Sequence, residues 1–109
     1  MTEADIYQRL SVLAGGKVFP YVAPQGTVAP WVVFLLPSSV REDVFCGPAE
    51  KASSVQVNVW ATSIDDARAL REQVKSALAD LHPVGLNEMS DYEHDTALYC
   101  AMLEVQIWQ

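Results

Sequence analysis

The sequence has little positive charge, and few of the histidines, cysteines and glycines from which chemical sites are built. Seven Lys and Arg stand against fourteen Asp and Glu, a formal charge of −7. Affinity for nucleic acid comes largely from counterions released as bases neutralise phosphates. The balance therefore speaks against a surface that grips DNA, though not against DNA passing nearby. The five glycines form neither GxGxxG nor GxxxxGK[ST]. Gly15-Gly16 follows a helical pattern instead of a strand, and reads as a helix stop. No apolar run approaches the ~20 residues a membrane helix needs. The start, MTEADIYQRL, carries acids where a signal peptide carries bases, so a cytosolic chain with no membrane contact is expected. Cys46 and Cys100 lie far apart, outside any CxxC or CxH context, which favours free thiols in a reducing compartment.

Candidates for chemistry are correspondingly thin. Asp91, Glu93, His94 and Asp95 combine residue types that ligate metals, but no second ligand pair stands at a helical or hairpin spacing, and a solvated turn is the better reading. A cysteine and His82 or His94 could meet in space as nucleophile and base, yet no local signature supports such a pair. The expectation is a protein that is not an enzyme and takes no cofactor or metal.

What is present is core-forming material. At 109 residues and 50% hydrophobic content, the chain suffices for one domain, residues 1–109, and not for two. Thr2 caps a first helix with Asp5 in a box-like position, Ile6, Leu10 and Leu13 form its stripe, and Gly15-Gly16 ends it. Strands are expected over Lys17–Val22, with Pro20 at an edge, and over Trp31–Leu36. In Ser54–Leu70, SVQVNVWATSIDDARAL, a period of two gives way to a helical period. Thr62 or Ser63 caps the second helix, whose buried stripe is Ala67, Leu70, Val74, Ala77, Leu78 and Leu81. Arg68, Arg71, Glu72 and Lys75 fall largely on its wet side, and His82-Pro83 ends it. Residues 82–97 hold an irregular fourth strand and a turn, and Leu98–Trp108 is a long last strand. This order predicts an α+β fold: an antiparallel or mixed sheet of four to five strands with both helices packed on one face.

The opposite face then carries Gln56, Asn58 and Trp60, with Met102, Glu104, Gln106 and Trp108 and one side of WVVFLL. Such a face is neither a core nor properly solvated. A Trp presents roughly 150–250 Å², and an apolar patch of several hundred Å² usually marks contact with something. These seven residues are the candidate subunit interface. The competing possibility is that the two Trp side chains fold over the sheet edge while loops 38–53 and 82–97 shield the rest. Residues 38–53 mix charge, Gly and Pro, as the arm of a hairpin with a mobile tip would. On that arm Arg41, Glu42, Asp43, Glu50 and Lys51 are either simply solvated or choose a neighbouring subunit by charge.

The order VFPYVAPQGTVAPWVVF, a charged arm, VQVNVWATSIDDARALREQVKSAL and a terminal ALYCAMLEVQIW resembles the small tail-completion proteins of long-tailed bacteriophages and prophages. These are related in fold to tail-terminator and head–tail connector components. The matching pieces are Val18 to Pro24, Pro30-Trp31-Val32-Val33, Val55 to Ala61, Asp66 to Leu70 and Tyr99 to Trp108, so nearly the whole chain is covered. The resemblance implies a structural domain, made in the host bacterial cytoplasm and carried in the virion tail. It implies a homo-oligomer, commonly a ring of six, at the head-proximal end, meeting tail-tube and head–tail connector proteins. It also implies a subunit that is monomeric in isolation and a channel through which DNA passes unbound. No catalytic residues carry over. Two other classes remain: a cytosolic, non-catalytic protein-binding adaptor of the same architecture, and a small hydrolase or metal-binding enzyme centred on His94 or a cysteine.

Overall fold

Alternating valines followed by a helical stripe call for a strand packed beneath the helix it leads into, and that pair is the centre of the molecule. The computed structural model describes residues 2–36, 39–41 and 51–108. Its elements in chain order are α1 (Glu3–Leu10), β1 (Val18–Pro20), β2 (Trp31–Leu35), β3 (Ser39–Arg41), β4 (Lys51–Ala61), α2 (Ile64–Leu78), β5 (Val84–Glu93) and β6 (Leu98–Trp108). The sheet runs β1-β2-β4-β6-β5, and β3 pairs with the start of β4. β1 is parallel to β2 and the other pairings are antiparallel, which makes the sheet mixed. The fold is α+β, as the sequence implies.

The inward face follows from the period of two. Val55, Val57 and Val59 are 0% exposed and join Ala67, Leu70, Val74 and Leu78 of α2 in one core cluster. Val57 lies opposite Leu103 and Val59 opposite Ala101 on β6, so the odd positions of both strands share this face. Ile6 and Leu10 bring α1 into the same cluster. At about 1.5–3 kcal/mol per buried aliphatic side chain, this face supplies most of what opposes chain entropy. Ser63 is the cap of α2: its Oγ accepts from the Asp66 N–H at 3.1 Å. At the start of α1 the Asp5 carboxylate accepts from the Thr2 N–H at 2.9 Å.

Four local expectations change. α1 stops at Leu10, five residues before Gly15. Leu13 reaches the core from a separate 3-10 turn, Leu13–Gly16, in which Ala14 and Gly15 both take positive φ and redirect the chain into β1. β1 is three residues long and ends at Pro20, where the missing N–H faces the open edge. β3 and the start of β4 occupy the ends of the stretch read as a charged arm; Arg41 lies opposite Lys51 in their ladder. Glu42, Asp43 and Glu50, with the rest of 42–50, lie outside the described residues. Arg71 is not on a wet face: only 9% exposed, it is trapped between α2 and β5.

β5 is longer than its sequence suggests. Eight of its ten residues pair with β6, in a ladder interrupted by a register shift between Val84 and Asn87. Gly85 sits at that shift with φ of +64°, a conformation that favours glycine and lets the extra residue be absorbed.

Candidate interaction face

The registers stack the outward side chains into rows across β2, β4, β6 and β5. The first row reads Trp31, Trp60, Cys100 and Asp91; the next reads Val33, Asn58, Met102 and Met89. Then come Leu35, Gln56, Glu104 and Asn87, and finally Ser54, Gln106 and Val84. All seven residues proposed from the sequence therefore lie on one face, but not in one patch. Trp60 faces Cys100, whereas Trp108 faces Ala52. Eight residue steps along β6 separate those rows, about 26 Å at the rise of a strand.

The aromatic end is the more developed. Trp31 and Trp60 stack at 6.1 Å between centroids with planes 29° apart. The chain after β1 folds over Val33, which is only 7% exposed despite facing outward. Tyr21, Val22, Ala23, Trp31, Val33 and the two residues Asn58 and Trp60 there line a depression of about 310 Å³. Tyr21 is held in place by donating its hydroxyl to Glu3 at 2.7 Å. Gln56, Asn58, Trp60, Met102 and Glu104 are half-buried, and Gln106 is exposed. Trp108, at 38%, is among the exposed large side chains, as are Met89, Val84 and Leu86.

On the other side of Trp60 the face deepens into a cavity of about 510 Å³. Asn58, Trp60, Met89, Cys100 and Met102 line it together with Ser90 to Asp95, where the β5–β6 hairpin turns. His94 and Cys100 share this lining, but the arrangement is wrong for an activated nucleophile. Burial, then the charges of Asp91 and Glu93, push the Cys100 thiol up to about 11, where a catalytic cysteine needs the opposite shift. The His94 ring instead meets Tyr92 edge-on at 5.1 Å. Among the described residues no group of three or more His, Cys, Asp and Glu is arranged to hold a metal ion. Cys46 lies outside the described residues.

Sequence reasoning missed Met89, Asp91 and Glu93 as parts of this face. Their strand lacks the signal that betrays the others, because β5 is an exposed edge strand in which apolar and polar residues are mixed on both sides. Trp31 and Val33 were implied only as one side of a strand; the β2–β4 register names them.

The same arrangement, helix stripe to terminal strand, recurs in known proteins. A family model described as tail completion protein gp17 matches residues 5–109. A chain in the solved structure titled "Virion of native gene transfer agent (GTA) particle" superposes with a TM-score of 0.70 at 17% identity, over 95% of this chain and 92% of that one. At that identity the likeness is one of fold. No curated protein matches the chain.

Proposed function

The chain belongs to the tail completion protein gp17 family, and from that premise we propose that it is the subunit of a ring completing the head-proximal end of a phage or prophage tail. Its role in the tail is structural and not catalytic. Six copies form the ring, between the tail tube and the head–tail connector, and DNA passes through its opening. The outer sheet face, centred on Gln56, Asn58, Trp60, Met102 and Glu104, is the docking surface for a neighbour, with Gln106 and Trp108 at its far end. Association on the partner leaves the isolated chain monomeric, made in the host cytoplasm before it joins the virion.

The observation that carries this reading is the family match across residues 5–109, to which the half-covered outer face adds a surface able to assemble. The formal charge of −7 suits a lumen that repels phosphates and does not hold them. Negative-stain imaging of purified chain with tail tubes is the test. Rings on tube ends, and headless or overlong tails from a phage lacking the gene, are expected. Bare tube ends together with normal tails from the deletion would reject the proposal.

A further inference from the structure

The 510 Å³ cavity beside Trp60 has a composition that specifies its occupant. Its floor is apolar and aromatic, formed by the half-buried Trp60 and Met102 with the exposed Met89 beside them, and its rim carries Asp91, Glu93 and Asp95. No Lys or Arg is in the lining. None of the three rim carboxylates has an ion-pair partner among the described residues, where the ion pairs join Arg9 to Asp80 and link Arg71, Lys75, Glu72 and Glu88. Among the described residues, Asp91 accepts only from the N–H of Tyr92, at 2.8 Å. Glu93 is half-buried. The field of this rim is felt inside: the charges of Asp91 and Glu93 add to burial in holding the Cys100 thiol protonated.

We propose that this cavity receives a cationic side chain, arginine above all, carried on a segment of a different protein that docks on the outer face. A planar guanidinium can lie against the Trp60 indole while its fork of N–H groups reaches the rim carboxylates. A hydrated ammonium uses the same charge but neither the plane nor the fork. The cavity falls in the range of roughly 300–1,000 Å³ typical of ligand clefts, which leaves room for the residues flanking the arginine. A second copy of this chain, with a formal charge of −7, is a poor donor to an acidic cavity. Arg9, Arg71 and Lys75 are engaged in ion pairs and Lys17 donates to the Val28 carbonyl at 2.8 Å, which leaves Arg68 as the one uncommitted cation whose side chain is described.

The proposal deepens the docking role given to the outer face and rests on it, but its test reads the cavity alone. The full ¹⁵N-labelled chain is titrated with N-acetyl-arginine methylamide and, separately, with the neutral citrulline isostere. Saturable shifts of the Trp60 indole N–H and of the Glu93 and Asp95 amides are expected with arginine, and at least tenfold weaker binding with citrulline. The double variant Asp91→Asn, Glu93→Gln should bind arginine tenfold more weakly with an unchanged melting temperature. No shift with arginine, equal shifts with citrulline, or wild-type binding by the double variant would each overturn the proposal. So would self-association that shifts these resonances, whichever of Arg41, Lys51 and Arg68 supplies the cation, since the occupant would then be a second copy. A failed titration leaves the tail-completion role standing, and failed tail binding leaves a successful titration intact.

Discussion

Trp31 and Trp60 lie directly opposite one another on β2 and β4, their rings stacked at 6.1 Å on the face that the helices leave uncovered. An aromatic pair of this kind adds about 0.5–1.5 kcal/mol beyond area burial. Trp60 is half-buried, so Trp60→Ala should cost a total of about 1–2 kcal/mol in stability, while reducing attachment to tail tubes at least tenfold. Trp108→Ala, at the exposed end, should cost less stability. Urea melts and tube-end binding measured on the same preparations separate the two effects. A folded Trp60→Ala, Trp108→Ala double variant that assembles as wild type would show the face to be irrelevant to docking.

Arg71 ties the helix layer to the edge strand. Its Nη1 donates to the Met89 carbonyl at 3.0 Å and to Ser90 Oγ at 3.3 Å, and Nη2 lies 3.7 Å from the Glu88 carboxylate. Nε is buried with no hydrogen-bond partner, which makes this an imperfectly satisfied charge. Removing a buried ionic partner typically costs about 3–5 kcal/mol; the unpaired Nε and the remaining Lys75–Glu88 pair at 2.7 Å reduce that here. Arg71→Leu should therefore destabilise by about 2–3 kcal/mol, with amide protection lost first along β5. Protection lost evenly through all strands would contradict the role of Arg71 as a local tie.

The contrast between these two sites shows what the sequence could reveal. Val55, Val57 and Val59 announce their face because alternation is local, and the stripe Ala67, Leu70, Val74 and Leu78 announces the helix above them for the same reason. Arg71 sits one residue beyond Leu70 and looks solvent-facing on a helical wheel. Its burial depends on β5, whose contacting residues Glu88 to Ser90 lie seventeen to nineteen positions downstream in a strand that carries no apolar alternation to predict its place. The outward residues of β4 and β6 were legible for their side but not for their spacing. Only the antiparallel register shows that Trp60 and Trp108 stand at opposite ends of the face.

Acid should weaken the fold through identifiable carboxylates. The hydrogen bond from Lys75, aided by the nearby Arg71 charge, holds the Glu88 carboxyl below its ordinary 4.5. The hydrogen bond from Arg9 likewise lowers Asp80, and that from Tyr21 lowers Glu3. A carboxyl depressed in the folded state contributes stability above its unfolded pKa and loses it as pH falls through the folded value. Melting temperature should thus be level near neutrality and decline below about pH 4.5. At the alkaline end the signs reverse. Hydrogen bonds to Glu72 and Glu88 raise Lys75 above 10.5, and the one to Glu3 raises Tyr21 above 10.0, so their contributions hold below those values and fade above them. Glu88→Gln should shallow the acid decline; identical acid limbs in the variant and the wild type would refute the assignment.

Adjacent residues on β4 provide the sharpest check of register, because a slip by one position exchanges the two faces of a strand. Val57 is 0% exposed between Phe34 and Leu103, while Asn58 is half-buried between Val33 and Met102 on the other side. Val57→Asn places an amide without partners in the core and leaves part of the packing unfilled. Its cost should be about 3 kcal/mol or more. Asn58→Val adds a β-branched side chain to a strand and gives up only a long, 3.4 Å hydrogen bond from the half-buried Gln56 amide, so its effect on stability should be within about 1 kcal/mol of zero. The second variant should nevertheless alter docking, since it turns the row Val33, Asn58, Met102, Met89 wholly apolar beside the Trp60 cavity. Comparable destabilisation by the two substitutions, read by urea melts, would mean that the two faces of β4 are not distinguished as the register requires.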